Sequence, residues 1–466
     1  MTRAFGDDQL ELELRAVLSE RAEEIASRAR SVSEITLEIA PRLRRAGVQS
    51  TRREIAFRLA VVGLVLLVLL VAAIAIGTRP SRPPTNLLLA VELPLRGEPG
   101  APPIVDAIRL AIHDAPRLSG ATIELPQAGV YDDSVDGSPD PDAGAENMRQ
   151  IAADPRYVAV IGPYNSFVAE AEIPIANAAG ILECSPSNTA PGLTRGAAAA
   201  SLRPRPDRPT FVRIAATDDA AAAAAARLLV GVLGKPTVFV VSPVQPFAGG
   251  RSETFIRAFE GLGGAVMGRG SIGNGGDEPG VVAAQIKASG AEAVFFDGLS
   301  ADGARVHAAM VSVVPDVPFV GLDTILDGPR SATGSFLGGA GANIANVYGV
   351  FPAGTDPVLG PQVEAEYRTA SGHAAENYVL GGYACTRVIL DAIARIDRSN
   401  AAGPVDWREA IRAEVTTSGH RYETAIGTIG FDANGDAQPQ RVSIYRADAN
   451  AAEWAFWEML ELPPGS

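Results

Sequence analysis

Histidine and cysteine are scarce in this chain: 466 residues include four histidines and two cysteines. His113, His307, His373 and His420 fall in separate predicted elements and show no ligand spacing, so no metal or other cofactor is expected. Two cysteines, Cys184 and Cys385, are too few for a disulfide scaffold and make one bridge or none. Their small apolar neighbours, Ile181 and Leu182 on one side and Tyr383 and Ala384 on the other, fit buried free thiols, which is the expectation. Basic residues are outnumbered, 40 Lys and Arg against 54 Asp and Glu, for a formal charge of −14. That balance argues against a phosphate-backbone partner, and no nucleic acid is expected. Catalytic signatures are missing too: there is no G-x-S-x-G elbow, Walker sequence or HExxH. GRGSIG at 268–273 has G-x-G-x-x-G spacing, but NGGDEPG follows it, so it reads as a glycine-rich loop. Asp132 and Asp133, adjacent at a strand end, point in opposite directions and do not make an acid–base pair. An enzyme is not expected.

An apolar fraction of 47% excludes wholesale disorder, and the length allows one to three folded units. The run Leu59 to Gly77, LAVVGLVLLVLLVAAIAIG, holds no charge and no proline. As a helix it would reach about 28 Å, the thickness of a bilayer core. It starts too late and runs too long for a cleaved signal peptide, and no cysteine follows it to take a lipid. Arg42, Arg44, Arg45, Arg52, Arg53 and Arg58 precede it, while Arg79 and Arg82 follow. The basic excess predicts a single-pass cell-membrane protein with a cytoplasmic N-terminus and an exported remainder. Residues 1–57 read as a cytoplasmic helical segment, 58–78 as the transmembrane helix and 79–86 as a stiff Pro/Arg linker. In the cytoplasmic segment Leu10, Leu14, Val17 and Leu18 have helical spacing. That helix is solvated, coiled with another, or set against a cytoplasmic partner.

Beyond the linker, short apolar runs alternate with helical patterns. LLLAVELPL (87–95), the region 121–133, YVAVIG (157–162), GILECS (180–185), TVFVVS (237–242), AEAVFFDG (291–298), VPFVGLD (317–323) and IANVYGVFP (344–352) read as strands. Helical stretches separate most of them. Repeated βα units imply an α/β fold of parallel sheets covered on both faces, long enough for two doubly wound lobes. Ligands of such sheets sit beyond the carboxyl ends of the strands, near loops 163–167 and 186–191.

The stretch from Tyr131 to Thr194 carries YDDS (131–134), then YVAVIGPYNSFVAEAEIPIANAAGILECSPSNTAPGLT (157–194). Further on come FVRI (211–214), the QPF loop after TVFVVS, and GTIGFDANGD (427–436). In combination these resemble the substrate-binding proteins of branched-chain amino-acid and amide ABC transporters, of the type I periplasmic-binding fold. The resemblance covers nearly all of 87–460 and none of 1–86. It implies lobe 1 from 87–213 with 350–424, and lobe 2 from 214–349 with 425–460. Crossovers are expected near 214–217, 348–351 and 424–427. It also implies a non-catalytic function: a small amino-acid-like molecule binds lobe 1 and draws lobe 2 closed by hinge motion. Closure serves ABC-type uptake through a permease, or sensing through the membrane helix to a signalling partner.

By the same resemblance Ser166 and Thr189 hold the ligand carboxylate, Ser187 meets its ammonium and Asp323 pairs with that ammonium. Ser166 and Thr189 each precede a helical run, so they cap helices, offer a helix N-terminus to an anion, or do both. Tyr378 falls where an aromatic wall residue is expected. Two tyrosines commonly line the second lobe; here Phe247 keeps the ring without the hydroxyl and Leu299 keeps neither, which implies a less polar closing lobe.

Overall fold

The computed structural model describes residues 85–462 apart from 117, 119, 245–249, 329–330, 332–333, 342, 376–377, 400–404 and 452. The apolar run Leu59 to Gly77 and the cytoplasmic segment lie outside the described residues. Among the described residues no helix is long and apolar enough to cross a membrane.

The chain opens with β1 (Thr85–Leu93), α1 (Ala101–His113), β2 (Ala121–Glu124), β3 (Val130–Asp132) and the small hairpin β4 (Ser134–Val135) and β5 (Ser138–Pro139). Then come α2 (Pro141–Ala153), β6 (Tyr157–Ile161), α3 (Ser166–Ala179), β7 (Leu182–Ser185), α4 (Gly196–Ser201) and β8 (Phe211–Arg213). Among the described residues these strands form a six-stranded sheet in the order β2-β1-β6-β7-β8, with β3 also beside β1, and every pairing is parallel. Central strands in such a sheet are covered on both faces, which is why β1 and β6 are near-continuous apolar runs without alternation. The region 121–133 is split into β2 and β3 by a tight turn at Gln127–Gly129. There a Cβ on Gly129 would stand 3.1 Å from the Leu89 carbonyl oxygen.

The second run is α5 (Asp218–Arg227), β9 (Thr237–Pro243), α6 (Arg251–Gly261), β10 (Ala265–Ile272), α7 (Pro279–Ser289) and β11 (Ala293–Phe296). It continues through α8 (Ser300–Met310), β12 (Phe319–Gly321), α9 (Phe336–Gly339) and β13 (Val347–Phe351). The chain then supplies α10 (Leu359–Ser371), α11 (Val379–Ser399), α12 (Trp407–Thr417), the small sheet of β14 (Tyr422–Thr424), β15 (Gly427–Phe431) and β16 (Ala437–Gln438), and finally β17 (Gln440–Asp448) and β18 (Glu453–Leu462). The second sheet has seven strands among the described residues, β10-β9-β11-β12-β13-β17-β18. Its last two are antiparallel additions. The chain passes between the lobes after β8, after β13 and between β16 and β17; the third passage lies near 438–440 and not at the expected 424–427, because β14 and β15 pack on the first lobe's core. Tyr422, Ile426 and Ile429 pack into the first lobe's core with α1 and α11.

Both sheets bury apolar clusters on each face. Leu87, Leu89 and Val91 face α1 and α11, while Leu88 and Ala90 meet Met148 and Ile151 of α2. In the second lobe Val240 and Phe295 pack beneath α5 and α6, and Phe296 and Phe319 beneath α8 and α9. Each large apolar side chain so buried contributes about 1.5–3 kcal/mol.

Two expectations are corrected here. GRGSIG is not a loop: Gly268 to Ile272 belong to strand β10. The glycines leave room for the Phe239 ring, since a Cβ on Gly268 or Gly270 would come 2.7 or 3.1 Å from it. The cysteines are not free thiols either. Cys184 of β7 and Cys385 of α11 form a disulfide, with Cα atoms 5.7 Å apart and a sequence separation of 201. Small apolar neighbours suit a buried bridge as well as a buried thiol; only the packing of α11 across β7 distinguishes the two.

Candidate functional site

The loops after β6 and β7 meet at the carboxyl edge of the first sheet, and three sequence-derived candidates meet there. Ser166 opens α3, and its Oγ accepts from the backbone N–H groups of Thr189 and Ala190, both at 3.3 Å. Ser187 donates its hydroxyl to the Tyr164 carbonyl at 2.8 Å. Asn188 donates to the same oxygen, also at 2.8 Å, and Ser185 braces the loop by donating to Pro163 at 2.8 Å. The two loops are therefore stitched by short side chains into one rigid rim. Thr189 sits where the chain leaves this rim: its carbonyl accepts from the Asp218 N–H at 2.9 Å.

Opposite lies a charged network that was not anticipated. Asp323 opens a short turn after β12 and has both carboxylate oxygens engaged. Oδ2 accepts from the Tyr378 hydroxyl at 2.9 Å, and Oδ1 accepts from Nη1 of Arg251 at 3.3 Å. Arg251 is buried and also bonds Asp297, through Nε at 2.9 Å and Nη2 at 2.7 Å, with Asp218 at 3.8 Å. Ser252 fixes the other Asp297 oxygen at 2.8 Å. Burial works against the Arg251 charge, but Asp297, Asp323 and Asp218 outweigh it and hold the guanidinium above its ordinary value. Burial pushes Asp218 up to about 6, with Arg251 pulling against it. Tyr378 is raised well above the usual phenol range by burial and then by Asp323. Three carboxylates around one guanidinium leave the network net negative.

Tyr378, which packs edge-on against Tyr164 with centroids 5.7 Å apart, carries the first lobe across to Asp323. The structure thus brings Ser166, Ser187 and Thr189 together, and separately Asp323 with Tyr378. Leu299 stands outside: it precedes α8, is 58% exposed and has no part in the network. Phe247 lies outside the described residues. Sequence reasoning missed Arg251, Asp218 and Asp297. One signal was available: an arginine at the first position of a helix opposes the helix dipole, so its place at the start of α6 points to acidic partners elsewhere. Asp132 and Asp133 do diverge. Asp132 bonds Leu95 N–H and Arg96 at the surface, whereas Asp133 is buried.

Among the described residues no group of three or more His, Cys, Asp or Glu could hold a metal ion. The rim and network offer hydrogen bonds and charge to a solute, and no paired nucleophile and base.

The profile of the periplasmic binding protein family matches residues 96–452. A Leu/Ile/Val-binding protein of Rhizobium johnstonii is 23% identical over 321 residues, 68% of this chain and 79% of that protein. The fold is shared with a leucine-binding protein of Thermotoga maritima, at a TM-score of 0.63 and 21% identity over 80% of this chain and 99% of that one. It is also shared with a solute-binding protein of R. palustris solved with 4-hydroxybenzoate, at 0.63 and 15% over 81% and 97%. With its sheets, its cleft rim and the family profile in agreement, the chain belongs to the periplasmic binding protein family, whose members bind small solutes and do no chemistry on them.

Proposed function

We propose that this chain captures a small amino-acid-like solute between its two lobes and presents it for ABC-type uptake from a membrane-anchored position. The observation that carries this reading is the polarity of the cleft. The first lobe offers the start of α3 with Ser166 and Thr189, suited to a carboxylate. The second lobe offers the net negative network of Asp218, Asp297 and Asp323 around Arg251, suited to an ammonium. A zwitterion needs both partners when it leaves water. The likeness to a Leu/Ile/Val-binding protein supports the same class. A fold neighbour that holds 4-hydroxybenzoate makes aromatic acids the natural competitor, but such ligands lack the ammonium that the acidic side favours.

The Tyr378–Asp323 bond joins the lobes across the cleft, so ligand has a ready-made latch to exchange with as it closes the protein. The apolar run Leu59 to Gly77 with its arginine bias supports a single-pass anchor with the binding lobes outside. The Cys184–Cys385 disulfide supports an oxidising compartment for them. The amphipathic pattern within residues 8–30 favours a second reading, in which closure is sensed by a cytoplasmic partner.

The test is a thermal-shift titration of the full-length protein in detergent with L-leucine, L-isoleucine and 4-hydroxybenzoate. A dose-dependent rise with the amino acids alone is expected. A rise with 4-hydroxybenzoate alone moves the ligand class, and no rise with any of them removes this reading.

A further inference from the structure

Tyr378 has a second role. Its hydroxyl closes on Asp323 at 2.9 Å, while the residue also lines a cavity of about 350 Å³ that Ser166, Thr189 and Asp323 do not line. The walls of this cavity come from the passage after β13, the approach to α11, and strands β17 and β18. Its volume is at the lower end of the range for small-molecule sites.

The lining has an unusual composition. Phe351, Tyr378, Tyr445 and Trp454 contribute rings, Glu364 and Glu453 contribute carboxylates, and no Lys, Arg or His is among the described lining residues. Three of the rings are contiguous: Phe351 lies 4.8 Å from Tyr378 and 6.4 Å from Tyr445, centroid to centroid. Glu364 of α10 is half-buried, and among the described residues it makes no hydrogen bond or ion pair. Burial raises its carboxyl, and Arg368, one turn further along the helix, only partly offsets that. Trp454 keeps its indole N–H buried without an acceptor.

Each feature narrows the occupant. Two carboxylates with no cation among the described lining residues disfavour an anion, which argues against a second carboxylate ligand. A neutral apolar molecule would fill the space and leave Glu364 desolvated and unpaired. A bare metal ion would find ring faces in place of the ring of oxygens it needs. A positive charge with an apolar coat suits the rings and the carboxylates together, since aromatic faces attract a cation and accept its alkyl surface. We propose that this cavity is a second ligand site, taking a small organic cation of the amine or quaternary-ammonium class.

Isothermal titration of the full-length protein with choline, and with its uncharged isostere 3,3-dimethyl-1-butanol, tests the assignment. Choline is expected to bind at least about 10-fold more tightly than the isostere, as ring and carboxylate attraction together imply. That preference should vanish in Glu364→Gln and weaken in Tyr445→Leu. L-leucine at saturation should not displace choline. The proposal is overturned if choline and the alcohol bind equally, if neither binds at tens of millimolar, if Glu364→Gln keeps the preference, or if choline and leucine compete. Circular dichroism of each variant separates a lost site from a lost fold. Because the choline readout is independent of leucine binding, either site can fail alone.

Discussion

Replacing Asp436 by Asn should cost more stability than any other single-atom exchange near the lobe passages. Arg213 at the end of β8 is fully buried. Its Nε donates to Asp436 Oδ1 at 2.7 Å, Nη1 to the Ala190 carbonyl at 2.7 Å and Nη2 to the Thr194 hydroxyl at 2.6 Å. Asp436 also accepts from Arg195 Nε at 2.8 Å. Burial raises the Asp436 carboxyl, but Arg213 and its neighbours outweigh that and hold it below its usual range. The backbone closes in step: Arg213 N–H donates to the Gly435 carbonyl at 3.0 Å. Gly435 has φ +98 and would set a Cβ 2.2 Å from the Phe211 oxygen. These contacts fasten the first sheet to the β15–β16 turn just before the chain leaves for the second lobe, which gives the terminal Gly-Asp of GTIGFDANGD a structural reason. Asn keeps the shape and removes the charge, stranding a buried guanidinium. Breaking such a pair costs about 3–5 kcal/mol, a large part of a native stability of roughly 5–15 kcal/mol. Arg195→Ala, whose side chain is 27% exposed, should cost under about 1 kcal/mol. Urea unfolding of the full-length protein followed by tryptophan fluorescence reads both values. A loss below about 1 kcal/mol for Asp436→Asn refutes the reasoning.

Stability should fall as pH rises from 6.5 to 9. Burial pushes Glu92 up to about 7 and Asp133 up to about 8, and raises Glu172 and Glu183 as well. These groups are protonated when folded and ionised when unfolded, so their contribution is whole below about 4.5 and is lost as pH climbs through 7 and 8. For Glu92 the loss is on the order of 3 kcal/mol between pH 4.5 and 7, so above pH 6.5 the fall comes chiefly from Asp133, Glu172 and Glu183. Melting temperatures at pH 6.5 and 9 check it, with Glu172→Gln flattening the slope; a flat wild-type profile contradicts it. Replacing both Cys184 and Cys385 by Ser should cost about 2–5 kcal/mol, because the bridge closes a long loop in the unfolded chain. Urea midpoints measure this, and an unchanged midpoint speaks against the bridge.

Much of the fold was legible because burial on both faces writes itself as unbroken apolar runs. LLLAVELPL and YVAVIG became β1 and β6, and VPFVGLD led through β12 to Asp323. Where two glycines interrupt that signal, part of strand β10 reads as a loop, since the Phe239 ring filling the gaps belongs to a neighbouring strand. The disulfide was illegible for a similar reason: its partners are 201 residues apart, and local composition carries no information about which helix crosses β7. Ser166, Ser187 and Thr189, named by resemblance, fall on one rim because they lie on one short loop pair. Arg251 was not, because its three acidic partners come from α5, from the end of β11 and from the turn after β12. Each is an ordinary surface charge by sequence and becomes a buried network only through the sheet order.

The account rests most on the cleft, and calorimetric titration of the full-length protein with L-leucine, beside Asp323→Asn and Thr189→Ala, tests it most directly. The account predicts saturable one-to-one binding to the wild type. It predicts an affinity lower by about 10-fold or more in Asp323→Asn, since a hydrogen bond to a charged group contributes about 1.5–3 kcal/mol, and a smaller loss in Thr189→Ala. Leucine binding that neither substitution alters, or no leucine binding by the wild type, would contradict it.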